Sequence, residues 1–257
     1  MTDFFSLKDQ VAVITGAGSG IGLAVAQRFA RAGARVVSAD LHGVDNGTEI
    51  KNSIFVKTDV TDEEQVQRLM QAAVDEYGQL DIVVNNAGVF ADYKRIEETE
   101  EKDFDFCFDV NAKGIAWGIK YAIPLISEHG RIINTASAAA LRGSVSLSSY
   151  VASKHAAAGI TKTATLELAR KKVRVNCVCP TTVDTPMAHE GEGDFLLRAE
   201  TMLIPLNRIC RPQEVAALIH FLAARDCDFI NGQSILLDGG MSAGITERAF
   251  ESLLKAD

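Results

Sequence analysis

The sequence predicts an α/β protein built on a parallel sheet, and three observations carry that prediction. A short apolar run near the start, VAVIT (Val11–Thr15), leads directly into the glycine loop GAGSGIG and then into an amphipathic run, LAVAQRFARAG. Further strand-like runs recur along the chain, most of them separated by stretches of helical periodicity, as a sheet covered by helices requires. At 257 residues the chain is long enough to bury a full core, and no repeat, low-complexity tract or linker divides it. Residues 1–257 therefore read as a single domain.

The first strand is apolar throughout, as suits a strand buried on both faces. Strand, glycine loop and helix in that order form a phosphate-binding turn, because glycine lets the backbone approach a pyrophosphate and the helix N-terminus supplies free N–H groups. Gly16, Ser19, Gly20, Ile21 and Gly22 are its candidate contacts. The second strand, RVVSA (Arg35–Ala39), ends at Asp40. That position lies roughly twenty residues beyond the loop, where a carboxylate accepts hydrogen bonds from the adenosine ribose and repels a 2′-phosphate. No arginine or lysine follows until Lys51, so NAD is expected rather than NADP; the competing role for Asp40 is that of a turn former.

Leu41 to Ser53 is polar and lacks a helical period, so a crossover helix is expected to be shortened or absent. IFVKTDV gives a third strand ending at Asp59 and Val60, and Asp62 opens the helical run EEQVQRLMQAAVDEYG. Asp59 either holds the adenine edge or caps that helix. The fourth strand, LDIVVNNAG, ends in Asn85, Asn86, Ala87 and Gly88, residues that suit backbone packed beside a nucleotide and equally a plain turn. The acidic run EETEEKDFDF reads as a solvated face. Asn111 is polar within an otherwise apolar segment, so its amide either bends a helix or holds a water.

The fifth strand is Arg131 to Ala136, with Ser137 at its C-terminal end. Open parallel sheets bind ligands at that edge. Tyr150 and Lys154 are four apart in an alanine-rich helical run and so share a face. A tyrosine, with a pKa near 10, is a poor base until a neighbouring ammonium stabilises its anion. By itself YxxxK is more often an ordinary helix face. Arg174 to Val178 is the sixth strand, stopped by Pro180, with Thr181, Thr182 and Thr185 offering hydroxyls at the same edge. Residues 187–201, glycine-bearing and acidic, read as a substrate lid. Pro212 opens a last long helix, SILLDGG gives a seventh strand, and ITERAFESLLKAD forms a short amphipathic helix.

Composition excludes several classes of function. A net charge of −8 and a pI near 5.2, with no basic cluster, argue against nucleic acid. The start, MTDFFSLKDQ, lacks the features of a secretory signal, and no apolar run approaches the length of a membrane span, so a cytoplasmic protein without membrane contact is expected. Cys107, Cys177, Cys179, Cys210 and Cys227 include no CxxC pair and have no histidines at ligand spacing; they read as buried thiols with no metal.

Taken together, TGAGSGIG (Thr15–Gly22), Asp40, the pair Asp59 and Val60, NNAG (Asn85–Gly88), Asn111, Ser137, YVASK (Tyr150–Lys154) and the strand end at Pro180 resemble the classical short-chain dehydrogenase/reductase family over nearly the whole chain. The resemblance implies a Rossmann-type, three-layer α/β/α fold whose seven-stranded sheet has the order 3-2-1-4-5-6-7. It also implies a catalytic tetrad. Tyr150 is then the general acid/base, Lys154 lowers its pKa and holds the nicotinamide ribose, Ser137 orients the substrate oxygen, and Asn111 holds a water in a proton relay. Asp59, Val60, Asn86, Ala87, Gly88, Pro180, Val183 and Thr185 match cofactor positions. The family usually has glycine after the proline of the sixth strand, and Thr181 stands there instead.

The function expected is NAD-dependent interconversion of a secondary alcohol and a ketone. The alternative is reduction of a 3-oxoacyl thioester on acyl carrier protein, and the remote one is a non-catalytic sensor of NAD. Small-residue faces around Asn111 to Lys120 and Ala152 to Ala164 suit packing into a homo-oligomer, a tetramer or dimer.

Overall fold

The structure is a computed structural model that describes residues 4–44, 50–189, 197, 200–247 and 250–251. Seven parallel strands form one sheet in the order β3-β2-β1-β4-β5-β6-β7. They are β1 (Val11–Thr15), β2 (Arg35–Asp40), β3 (Ser53–Lys57), β4 (Leu80–Asn85), β5 (Ile126–Thr135), β6 (Arg174–Pro180) and β7 (Ser234–Leu237). The order reverses between β1 and β4, and the crevice outside their C-terminal ends is where such sheets take ligands.

The strand period of two divides the core. Val11 and Val13 face one side, against Val66 and Leu69 of α2 (Glu63–Tyr77), Ile115 and Ile119 of α4 (Gly114–Ala122), and Ala157 of α5 (Ser148–Leu168). Ala12 and Ile14 face the other, against Val25 and Phe29 of α1 (Gly20–Arg31) and Val215 and Ile219 of α6 (Pro212–Ala223). This is why β1 carries no polar residue before Thr15. Burying a side chain such as Phe29, which is fully enclosed, contributes about 2–3 kcal/mol.

α3 (Glu101–Phe108) continues into α4 through a π-turn, Asp109–Lys113, which lodges one extra residue in the helix at Asn111. Gly114 and Gly118 then face the sheet. A β-carbon on Gly114 would lie 3.0 Å from Val60 Cγ2, and one on Gly118 would lie 2.0 Å from Asn85 Oδ1.

Several element boundaries differ from expectation. β3 ends at Lys57 rather than at Val60, because Thr58 Oγ1 turns back onto the Val56 carbonyl and Asp59 begins a turn. β5 starts at Ile126, ahead of Arg131, and absorbs a register shift against β4 between Leu80 and Ile82. β6 runs on to Pro180, whose missing N–H is tolerated at the last residue of the strand. No helix occurs in the described parts of 41–52; residues 45–49 of that stretch, most of the expected lid (190–196, 198 and 199) and most of the expected C-terminal helix lie outside the described residues. No helix among the described residues is long and apolar enough to cross a membrane.

Candidate active site

The glycine loop is compact enough that side chains are excluded from it. Gly16 and Gly20 hold positive φ of 64° and 51°, a conformation that favours glycine. A β-carbon on Gly22 would lie 1.9 Å from the Gly16 carbonyl, and one on Gly16 would lie 2.9 Å from Ala87 Cα. α1 starts here with Ser19 at its N-cap, no side-chain capping bond and no acidic residue in the first turn. Its free N–H groups and positive dipole end are therefore available to an anion, flanked by the side chain of Ile21. α2, which starts at the same sheet edge, is closed instead: Asp62 caps it and Glu63 and Glu64 follow.

Asp40 reaches this loop. Its Oδ2 accepts from the Gly18 N–H (2.9 Å) and its Oδ1 from the His42 N–H (3.2 Å), so the carboxylate stands beside the turn where a dinucleotide's adenosine would lie. Asp59 is not the helix cap; its Oδ1 accepts from both N and Oγ1 of Thr61, and Asp62 takes the capping role. Val60 is 8% exposed and packs on Gly114.

The end of β4 is tied to β1 and β5. Thr15 Oγ1 accepts from the N–H groups of Asn86 and Ala87, both at 3.0 Å, while Asn86 Nδ2 donates to the Thr15 carbonyl and Asn86 Oδ1 accepts from Thr135 Oγ1. Asn85 points the other way, into a buried chain. Its Nδ2 donates to Asn134 Oδ1, and Asn134 Nδ2 donates to Thr161 Oγ1 on α5. The two adjacent amides of NNAG thus do different work, one aligning strand ends and the other joining sheet to helix.

On the other side of the crevice, Lys154 is buried, at 4% exposure, and its Nζ donates to the Thr135 carbonyl (3.2 Å). It lies 5.7 Å from the centroid of the Tyr150 ring and 3.4 Å from the point where a Gly88 β-carbon would be. Ser137 follows β5, with its Oγ accepting from the Ala139 N–H. The Ser137 hydroxyl pulls the pKa of the Tyr150 phenol down, but burial outweighs this and pushes the phenol up to about 12. Burial also pulls the Lys154 ammonium down to about 8. Desolvation thus opposes the expected lowering of the tyrosine pKa, since it disfavours both charged forms.

Asn111 is fully buried, and its amide, expected to hold a water, is engaged by protein on both sides. Oδ1 accepts from the Val89 N–H (2.9 Å), and Nδ2 donates to the Val89 carbonyl (3.0 Å) and to Ser153 Oγ (3.1 Å). Ser153 in turn donates to the Tyr150 carbonyl. The amide thus pins the strand end after Gly88 to the helix that carries Tyr150. Pinning Val89 also places Phe90, whose ring centroid is 4.7 Å from that of Tyr150, with Tyr93 5.6 Å beyond it.

At the end of β6, Thr181 donates its N–H to the Leu237 carbonyl and does not adopt left-handed backbone. A β-carbon is therefore tolerated where glycine is usual. Val183 is 7% exposed and forms a bridge with Cys210, and the Thr185 methyl lies 3.0 Å from where a Gly20 β-carbon would be. The loop after Pro180 and the glycine loop therefore meet over the crevice. Thr182 Oγ1 donates to Glu200, whose carboxyl is held above its usual range by burial. Cys177 and Cys179 share a face of β6, with their sulfurs 4.0 Å apart.

The residues missed in the sequence are those that support others: Thr135, Asn134, Ser153, Thr161, Phe90 and Glu200. Asn134 carried a signal, as a polar residue inside the apolar run RIINTA. Phe90 and Glu200 carried none.

Comparison with known proteins gives concordant matches. A family model described as enoyl-(acyl carrier protein) reductase matches residues 16–242. The 3-oxoacyl-[acyl-carrier-protein] reductase of Thermotoga maritima is 36% identical over 244 residues, covering 91% of this chain and 98% of that protein. Borneol dehydrogenase of Lavandula x intermedia is 37% identical over 241 residues, covering 92% of each. The crystal structure of 3-ketoacyl-(acyl-carrier-protein) reductase from Brucella melitensis complexed with NADH superposes with a TM-score of 0.84 at 32% identity, covering 92% of this chain and all of that one, 100%.

Proposed function

Since this chain belongs to the short-chain dehydrogenase/reductase family, whose members act on CH–OH groups with a nicotinamide cofactor, we propose that it interconverts a secondary alcohol and a ketone with NAD. The observation that carries the cofactor choice is Asp40, whose carboxylate lies against the Gly18 N–H at the mouth of the glycine loop. A 2′-phosphate there would meet a fixed negative charge, whereas ribose hydroxyls would meet an acceptor.

The residues fit such a cofactor. Gly16, Ser19, Gly20, Ile21 and Gly22 with the open N-terminus of α1 would hold the pyrophosphate, Asp59 and Val60 would border the adenine, and Asn86, Ala87 and Gly88 would line the middle of the site. Pro180, Val183 and Thr185 would hold the nicotinamide, and Tyr150 and Lys154 its ribose. When bound, NAD supplies the hydride acceptor and, in its oxidised form, a positive charge.

Tyr150 takes the alcohol proton in oxidation and returns it in reduction. Burial pushes the phenol up to about 12, and positive charge beside it, the Lys154 ammonium included, acts to bring it down. Ser137 donates to the substrate oxygen and orients it beside the phenol. Lys154, one turn along the same face of the helix, holds its proton against burial through the Thr135 carbonyl. Asn111 acts as a positioning residue through Val89 and Ser153. We read residues 1–257 as a single domain and the family's homo-oligomeric habit as this chain's own.

The second reading, reduction of a 3-oxoacyl thioester, is favoured by the T. maritima relative. A carrier protein is acidic and calls for exposed cations near the crevice. Two candidates after β6, Arg208 and Arg211, both spend hydrogen bonds on Glu214. The test is a panel of secondary alcohols, free ketones and an acyl-carrier thioester with NAD(H) and NADP(H), read at the reduced nicotinamide absorbance. The proposal expects alcohol oxidation with a higher kcat/KM for NAD. A clear NADP preference overturns the cofactor half, and turnover of the thioester alone overturns the substrate half.

A further inference from the structure

A second convergence of polar groups lies at the opposite end of the sheet. Arg131 of β5 and Arg174 of β6 are direct register partners, so their side chains stand next to each other on one face. Both are buried, at 2% and 6% exposure. Like charges side by side on neighbouring strands repel, and burial strips each of its water.

Arg174 is fully matched. Its Nη2 donates to the Leu222 (2.8 Å) and Ala224 (3.2 Å) carbonyls, at the C-terminal end of α6 where the helix dipole is negative. Its Nη1 donates to the Ile230 carbonyl, and its Nε lies 3.5 Å from the Asp228 carboxylate. Arg131 is not matched. Its Nη1 donates to Gln10 Oε1 at 3.2 Å, but Nε and Nη2 are buried with no hydrogen-bond partner among the described residues.

Charge is unbalanced there as well. Arg174 and Arg225 act on Arg131 with the same sign, Asp228 and Asp81 with the opposite one. Both carboxylates are engaged elsewhere. Asp81 Oδ2 accepts from the Val11 N–H and from Gln79 Nε2, and Asp228 lies against Arg174. No described carboxylate pairs with Arg131. Burial draws its pKa down to about 10, which leaves it cationic at neutral pH.

We propose that the Nε and Nη2 fork of Arg131 binds a small inorganic anion, of chloride size, within the N-terminal end of the sheet. The Nε–H and the adjacent Nη2–H of a guanidinium point the same way, a fork that takes an oxyanion's two oxygens or one halide between them. A water would satisfy the donors but would leave the surplus charge. The site is remote from the crevice, since Arg131 and Ser137 are separated by six residues of extended chain, about 20 Å, and it does not depend on the proposed activity.

The test is thermal unfolding of the full chain in sodium chloride and in sodium gluconate at matched ionic strength, for wild type, Arg131→Met and Arg131→Lys. Ligand binding to the folded state alone raises the midpoint with concentration. Wild type is expected to show a saturable chloride-dependent rise that neither variant shows, the variants reporting the nonspecific difference between the salts. Should Arg131→Met fail to fold, Arg131→Lys, which keeps the charge and removes the fork, carries the comparison. Crystals grown in bromide are expected to place an anomalous peak in the fork. A wild-type midpoint that follows the variants, a chloride effect retained in the variants, or a bromide peak with no effect in solution (binding at crystal concentration only) overturns the proposal.

Discussion

The two halves of the crevice are built on opposite principles. On the adenosine side the chain removes side chains: Gly16 and Gly22 leave no room for a β-carbon, Gly20 holds a left-handed backbone, and α1 begins with no side-chain cap. On the nicotinamide side it adds buried polar ones: Asn111 clamps both backbone groups of Val89 and also Ser153, Lys154 is sunk behind Tyr150, and Asn134 links Asn85 to Thr161. One half is shaped for an anion to arrive; the other keeps its ionisable groups in unfavourable surroundings until one does. Binding and chemistry should accordingly be separable by mutation.

The largest effect is expected at Tyr150. Tyr150→Phe keeps the ring and removes the ionisable oxygen, so kcat should fall by about 10²–10⁴-fold while NAD affinity, measured by fluorescence titration, stays within about twofold. An unchanged rate would sink the acid/base assignment. The mirror experiment is Asp40→Asn on the adenosine side. Loss of the charged acceptor should cut the ratio of kcat/KM for NAD over NADP by about 10–100-fold, with kcat at saturating NAD little changed. A fall in kcat with an unaltered ratio would mean that the two halves are not separable in this way.

A third variant asks whether the catalytic half is stabilised by its own machinery. The Lys154 ammonium is drawn down to about 8 by burial, from 10.5. Between those values the unfolded chain binds a proton that the folded chain has released, so this group makes stability rise with pH from about 8 to 10.5 and imposes its full cost below that window. Lys154→Met should lower turnover yet raise the unfolding free energy at pH 7 by about 1–3 kcal/mol and flatten its rise above pH 8, as measured by urea titration across pH. Loss of stability at pH 7 would place Lys154 among the structural cations instead. The smallest effect belongs to the closed helix start. Asp62→Ala opens the N-terminus of α2 and should lower the thermal midpoint by about 2–4 °C without altering either kinetic constant.

The same contrast decides what could be read from the sequence. Excluding side chains leaves a local mark, because glycines at fixed spacing after an apolar run are visible in one dimension; the glycine loop and Asp40 were therefore legible, while the strand order came only with the family resemblance. The positions of Ser137, Tyr150 and Lys154 were legible too, through strand end and helix spacing. Their protonation was not. Burial sets it, and burial depends on groups that arrive from distant segments, such as the Thr135 carbonyl that accepts from Lys154 and the Gly88 backbone beside it. The fate of Asn111 was hidden for a similar reason, since its partners Val89 and Ser153 lie 22 and 42 residues away. β3 ended early because Thr58 and Thr61 satisfied local backbone and carboxylate groups that a hydropathy pattern does not register.

The π-turn at Asp109–Lys113 has a consequence of its own. A helix advances about 100° per residue, so one additional residue there shifts the angular phase of everything downstream by that amount. Gly114 and Gly118 meet Val60 and Asn85 only in the shifted phase. Drawing the same residues into a regular helix would turn Gly114 and Gly118 away and bring bulkier side chains toward the sheet, whereas removing a single residue between Asp109 and Lys113 would abolish the bulge and keep their phase. The bulge is therefore what presents Gly114 and Gly118 to Val60 and Asn85, and it is as much a part of the site as any side chain in it.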